Sequence, residues 1–269
     1  MLKIQKTSQE AIAELQNSYR SRLVAPLDGM WEAFIDNAAH YEIHDADERI
    51  GYCCVQEDQK FLQFHIAAPF AHLAEEAFNL ARRECNASGA MVSSFEPWLA
   101  LCLDHQKQCR VHTYLYREHQ RPEATLENVA DLSFHPVVEA ERDEIETFVR
   151  SALDLDGDWL TGYLQNLVNR EEIFVLRTGD TPMATGELRV SDTQSPYADL
   201  GVIVGKEHRR KGFATYVLSE LREMCHAREL QPICSTTLEN TGAQRAINGA
   251  GFVASHRLLE ILFEASASS

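Results

Sequence analysis

Val202-Ile203-Val204-Gly205-Lys206-Glu207-His208-Arg209-Arg210-Lys211-Gly212-Phe213-Ala214-Thr215 passes from an apolar strand through a short basic loop straight into a helix. The helix shows in the spacing of Phe213, Val217, Leu221 and Met224-Cys225 along one face, while Glu220, Arg222 and Glu223 point away. Gly212 allows close approach of the backbone to a ligand, and the first helical N–H groups have no acceptor within the helix. An anion placed there meets those amides, the positive end of the helix dipole, and Arg209, Arg210 and Lys211. Three consecutive cations at a helix start invert the charge locally in a chain with 25 Lys+Arg against 41 Asp+Glu, a formal net charge of −16. A pyrophosphate group is the ligand chemistry that this inversion fits.

Upstream of this stretch, 172–177, 183–190 and 197–204 read as three strands, with turns at Gly179-Asp180 and 191–196. Before them, 139–151 and the Trp159-Leu160, Tyr163-Leu164, Leu167-Val168 series give two amphipathic helices. Downstream, 232–238 reads as a buried strand, 240–250 as a short helix and 252–263 as one or two closing strands. The polar stretch from Glu118 to Leu132, with Pro122, reads as a linker. It leaves an N-terminal domain at 1–120 and a C-terminal one at 132–269.

The first half repeats much of the element order. Strands are read at 42–44, 50–55 and 61–66, a helix at 71–85, a strand at 90–95, a short helix at 97–104 and a strand at 109–116. Met1–Lys6 is taken to lead into a polar helix. A divergent tandem pair follows from pattern alone. At the junction matching the basic loop, Ile66-Ala67-Ala68-Pro69-Phe70-Ala71-His72 has no Lys, Arg or Gly, and Pro69 removes an amide donor. The first unit is therefore expected to lack the anion site. Phe61, Phe64, Phe70 and Phe78 are read as core.

Of the 269 residues, 45% are hydrophobic and 25% charged, a globular balance. The acidic surplus argues against nucleic acid, since a phosphate backbone would be repelled. No apolar run approaches the roughly 20 residues of a membrane span. Cys53, Cys54, Cys85, Cys102, Cys109, Cys225 and Cys234 are odd in number and form no C-x-x-C. That scatter fits reduced thiols in a cytoplasm, with no metal site.

Arg209-x-x-Gly212-x-Ala214 resembles the Q/R-x-x-G-x-G/A signature of the GNAT superfamily of acyl-CoA-dependent N-acetyltransferases. Asn240-x-x-Ala243 followed by Gly251-Phe252 is similar to that family's second CoA-side motif. The resemblance spans 137–263. It implies an α/β (α+β) fold with a mixed, mostly antiparallel central sheet flanked by helices, split between its fourth and fifth strands, and with the repeated order above it is expected in two tandem units. It further implies acetyl-CoA as co-substrate, with the pantetheine arm in the split. The main chain of Val202 and Val204 would bond that arm like an added strand, with Asn240 beside it. Arg209, Arg210, Lys211, Gly212, Phe213, Ala214 and Thr215 would surround the pyrophosphate.

Two positions depart from the family pattern. Ile247 stands where a tyrosine usually protonates the departing thiolate, and Asn248 points about 100° away around a helix. Tyr163, Tyr197 and Tyr216 remain as candidate acids. Where some relatives carry a strand-four glutamate, Ala198 stands here, next to Asp199. Alternation puts Asp199 on the face opposite Val202 and Val204, unless a β-bulge re-aims it. Glu187 on the preceding strand is the second candidate base, His208 a third, and a water chain a fourth. The reading is an N-acetyltransferase that moves acetyl directly to a primary amine of a small molecule or peptide, the acidic surface favouring a cationic acceptor. Its rival is a non-catalytic acyl-CoA-binding sensor or scaffold.

Overall fold

The computed structural model describes residues 1–124, 126, 131–155 and 157–264. Residues 125 and 127–130 of the linker read between Glu118 and Leu132 lie outside them, as do 156 and 265–269 of the C-terminal domain.

In the first half the elements are β1 (Leu2–Thr7), α1 (Gln9–Arg20), α2 (Gly29–Asp36), β2 (Ala39–Asp45), β3 (Glu48–Val55), β4 (Lys60–Ile66), α3 (Ala74–Glu84), β5 (Gly89–Ser93), α4 (Leu99–Asp104) and β6 (Gln106–Glu118). The second half repeats that order as β7 (Leu132–Pro136), α5 (Arg142–Leu153), α6 (Trp159–Asn169), β8 (Ile173–Thr178), β9 (Thr181–Val190), β10 (Tyr197–Val204), α7 (Phe213–Ala227), β11 (Gln231–Thr237), α8 (Thr241–Gly249) and β12 (Phe252–Phe263). Even a 3₁₀ turn recurs after the fourth strand, at Ala68–Leu73 and at Lys206–His208.

The described chain forms two compact units, Met1–Tyr114 with the residues from His256 onward, and Leu115–Ser255. The last strand explains why the units differ from the halves 1–120 and 132–269. Residues 258–262 of β12 pair antiparallel with β5, from Leu258↔Ser93 to Leu262↔Gly89. Leu258, Ile261 and Phe263 are buried in the same core as Ile12, Tyr52, Phe61, Phe64 and Phe78. In the first unit the strand order is β1-β2-β3-β4-β5-β12, and in the second β6-β11-β10-β9-β8-β7. Each is mostly antiparallel, with one parallel pair in the middle, β4 with β5 and β10 with β11.

Three readings are refined. Residues 1–6 do lead into a helix, α1, but Leu2–Thr7 ahead of it form a strand that was not read, pairing with His40–Asp45 of β2 across its full length. The helix read at 71–85 is divided into the 3₁₀ turn Ala68–Leu73, with Pro69 in its first turn where a missing N–H is tolerated, and α3. The closing segment is one 12-residue strand. All seven cysteines are free, five of them buried. No helix among the described residues is long and apolar enough to cross a membrane.

Candidate active site

β10 is the strand on which the site is built. It pairs in register with β9 from Ala198↔Val190 to Val204↔Ala184 without a slip. On its other side it meets β11 only at Tyr197↔Gln231, Ala198↔Pro232 and Asp199↔Ile233. Two hydrogen bonds fix which way the main chain points. Ser191 N donates to the Tyr197 carbonyl at 3.0 Å, and Gly205 N donates to the Met183 carbonyl at 3.0 Å. Odd-numbered residues of β10 therefore turn their N–H and C=O groups toward β9, and Leu200, Val202 and Val204 turn theirs toward the side where β11 has departed. That is an open strand edge facing a split. Arg209 Nε reaches the Val204 carbonyl at 3.4 Å.

The loop that follows is shaped by two residues with positive φ, Arg210 at 63° and Gly212 at 88°. Left-handed residues this close together are the conformational pattern of an anion nest, and glycine bears the second with least strain. Gly212 is the N-cap of α7 and offers no side-chain cap, so the Phe213, Ala214 and Thr215 amides have no acceptor among the described residues. Arg210, Lys211 and Gly212 are exposed. Among the described residues, the Arg210 and Lys211 side chains have no hydrogen-bond or ion-pair partner.

The other predicted site residues divide by role. Arg209 donates through Nη2 to the Ala152 carbonyl at 2.6 Å, and Lys206 pairs with Asp154, so both tie the loop to the end of α5. Arg209, expected beside the pyrophosphate with Arg210 and Lys211, differs from them in that its guanidinium already has protein partners. The Phe213 side chain is core, and the Thr215 hydroxyl donates to the Ala246 carbonyl at 3.5 Å. Asn240 caps α8, its side chain accepting from Ala243 N at 3.1 Å, and is exposed. His208 lies with its ring edge-on to Phe213, inside the loop.

On the face of the sheet under α5 and α6, cross-strand pairing brings Glu187 beside Gly201 and Arg189 beside Asp199. No bulge re-aims Asp199. It stays on the face opposite Val202 and Val204, and that face is the one Glu187 occupies. Glu187 and Asp199 are both buried. Tyr163 donates its hydroxyl to Glu187 Oε2 at 2.6 Å. Arg189 Nη2 holds Asp199 Oδ2 at 2.9 Å, Nη1 reaches the Tyr163 hydroxyl at 3.3 Å, and Nε lies 3.5 Å from Glu187 Oε2. Burial, then the Glu187 charge, pushes the Tyr163 phenol well above its ordinary pKa, so it stays protonated. A Cβ on Gly201 would lie 3.2 Å from Glu187 Oε2. The missing side chain thus leaves the carboxylate lying directly against β10, between Leu200 and Val202. Ile247 is buried and supplies no proton donor.

Models of two GNAT acetyltransferase families match the chain, an acetyltransferase (GNAT) domain at residues 8–119 and the acetyltransferase (GNAT) family at 134–252. A solved acetyltransferase of the GNAT family from Colwellia psychrerythraea is 31% identical, with a TM-score of 0.89 over 97% of this chain and 100% of that one. The chain belongs to the GNAT acetyltransferase family. Two more distant structures share the fold. One is a GCN5-related N-acetyltransferase from Sphaerobacter thermophilus, 15% identical, TM-score 0.66, covering 96% of this chain and 94% of that one. The other is a tandem GNAT protein from the clavulanic acid biosynthesis pathway, 11% identical, TM-score 0.67, covering both chains fully. The repeated element order makes this chain a tandem GNAT as well.

GNAT enzymes use acetyl-CoA, and the open β10 edge, the uncapped α7 start and the two free cations fit that donor. No cluster of His, Cys, Asp or Glu able to hold a metal occurs among the described residues. Sequence reasoning missed Arg189, and it named Tyr163 only as a possible acid. The i, i+2 spacing of Glu187 and Arg189 was a signal, but the register against β10 was needed to read it.

Proposed function

We propose that this GNAT acetylates a primary amine of a small molecule or peptide by direct transfer within a ternary complex, with Glu187 taking the proton from the amine. The observation that carries this reading is the Glu187 carboxylate lying against Gly201, beside the open edge of β10. When bound, acetyl-CoA supplies an acetyl group activated as a thioester. The amides from Arg210 to Ala214, with the Arg210 and Lys211 side chains, hold its diphosphate. The main chain of Val202 and Val204 lines its pantetheine arm with Asn240 beside it, and a free N–H on the β10 edge is the donor for the thioester oxygen.

The acceptor reaches the site as an ammonium ion, since an alkylamine titrates near 10.4. Glu187 accepts one proton and frees the nitrogen lone pair for attack. Tyr163, kept protonated, orients Glu187 by donating to it, so its proton is already directed at the carboxylate and not at a leaving thiolate. With Ile247 buried, the thiolate's proton comes from water. Asp199 is a positioning residue in this scheme, because it holds Arg189 against Tyr163 and Glu187. Among the described residues, the side chains touching Glu187 include no Ser, Cys or Lys to carry the acetyl group covalently, which favours direct transfer.

Ile247 and Ala198 also fit the rival reading of a sensor that binds acyl-CoA without turnover. Release of CoA thiol, followed with DTNB across a panel of amines, tells the two apart. The transferase reading expects amine-dependent release. Tight CoA binding with no release on any amine would favour the sensor.

A further inference from the structure

The first turn of α6 holds a feature that the acetyl-transfer scheme leaves unused. Trp159 is 59% exposed, a large aromatic left in water. Its indole is nonetheless fixed in place. Gly157 lies directly beneath it, where an added Cβ would meet the ring at 2.6 Å, and the Tyr163 ring is 5.9 Å away, centroid to centroid. Gly157 is anchored in turn by Arg150, which donates to its carbonyl at 3.0 Å while pairing with Glu146. The neighbouring Asp158 sits at the N-cap position but accepts no capping hydrogen bond, so its exposed carboxylate is free for solvent or a ligand.

Trp159 and Tyr163 stand four residues apart on one face of α6, a rise of about 6 Å. The Tyr163 hydroxyl is bonded to Glu187. One helix face therefore leads from an open indole to the buried carboxylate proposed to receive the proton of the reacting amine. An indole face attracts cations more strongly than any other side-chain ring. The exposed Asp158 carboxylate at the same helix start adds negative charge to the neighbourhood.

Building on the amine-acetylating reading of this site, we propose that Trp159 is a specificity-determining residue that holds a second positive charge of the acceptor, so that the preferred substrate is a di- or polyamine. The nitrogen to be acetylated sits at Glu187, and the second, still protonated, lies over the indole, with the Tyr163 side chain between the two positions.

The test compares putrescine with n-butylamine, which share a chain and differ by one ammonium group, and adds phenethylamine as an aromatic monoamine. Wild type is expected to favour putrescine in kcat/KM by about tenfold or more, the scale of one desolvated cation–π contact. Trp159→Ala should bring the ratio to within about twofold of unity, acting mainly on the KM for putrescine, and Trp159→Phe should retain part of the preference. A wild-type ratio near one, a preference for phenethylamine, or a ratio unchanged by Trp159→Ala would overturn the proposal. Calorimetric titration of putrescine into the CoA-loaded protein separates this from the acetyl-transfer reading. If no amine releases CoA, that reading fails. The binding proposal then stands if Trp159→Ala weakens putrescine binding about tenfold, and falls if the two titrations coincide.

Discussion

At the end of β4 the 3₁₀ turn Ala68–Leu73 runs without a break into α3, with Pro69 inside it and Leu73 as an ordinary right-handed N-cap. At the end of β10 the 3₁₀ turn stops at His208, and Arg209–Gly212 intervene before α7 begins. Those four residues supply two left-handed conformations, two free cations and a fresh helix start with unclaimed amides. The first unit keeps the element order without such a junction, because its helical path runs on continuously from the 3₁₀ turn. In a duplicated fold, then, the junction proposed to bind the diphosphate is one that the architecture does not require.

The same contrast holds on the sheet face beside each split. In the second unit that face carries Glu187, Asp199 and Arg189 under Tyr163. In the first it carries Gln63 and His65 on β4, with the His65 ring against Tyr19 and Tyr52. Glu96 is enclosed there by hydrogen bonds from Ser93 N, Trp98 Nε1 and the Tyr19 hydroxyl. One face lies beside the open edge of β10, and in the other the carboxylate is closed in by its own side chains.

The largest expected effect breaks the comparison at the charged face. Glu187→Gln should lower kcat at neutral pH by about a hundredfold or more while leaving CoA affinity unchanged. An equal loss of CoA affinity would show that Glu187 belongs to the donor site instead.

Next in size is a stability effect at the closed face. Burial, and then Arg22, depress the His65 imidazole from 6.5 to about 4. Between those values the unfolded chain holds a proton that the folded chain does not, so stability falls as pH drops through that window, by up to about 3 kcal/mol. Burial raises the Glu96 carboxyl and gives a contribution of opposite sign, one that is present with or without His65. Urea unfolding across this range should show a flatter acid limb for His65→Phe than for wild type. Parallel limbs would contradict the dry environment assigned to His65.

A smaller effect sharpens the junction itself. Arg210→Ala with Lys211→Ala should weaken CoA binding about tenfold at low salt and less at high salt, because both cations are exposed. Arg209→Ala should instead lower the melting temperature, since its guanidinium holds the Ala152 carbonyl.

Much of this was legible in the sequence. The 3.6-residue period from Phe213 onward and the basic run before it located α7 and its open mouth, and the first half's Pro69 announced a junction without one. β1 and β7 were not legible, because Leu2–Thr7 and Leu132–Pro136 are short edge strands whose identity comes from their partners, β2 and β8. Alternation gave the side of Asp199 correctly but not its neighbours. Only the β9–β10 register shows that Arg189 faces it and that Gly201 leaves room for Glu187. The first unit's use of β12 was hidden for the same reason, being a pairing between residues far apart in the chain.

The central claim is that one of the two repeated junctions, the one at Arg209–Thr215, binds the diphosphate of CoA. Calorimetric titration of CoA into wild type and Gly212→Val, with thermal melting to confirm that both are folded, tests it most directly. The account predicts one CoA per wild-type chain and loss of binding in the folded variant, because valine cannot hold the left-handed N-cap without strain. Two CoA molecules per chain, or equal affinity in the variant, would contradict it.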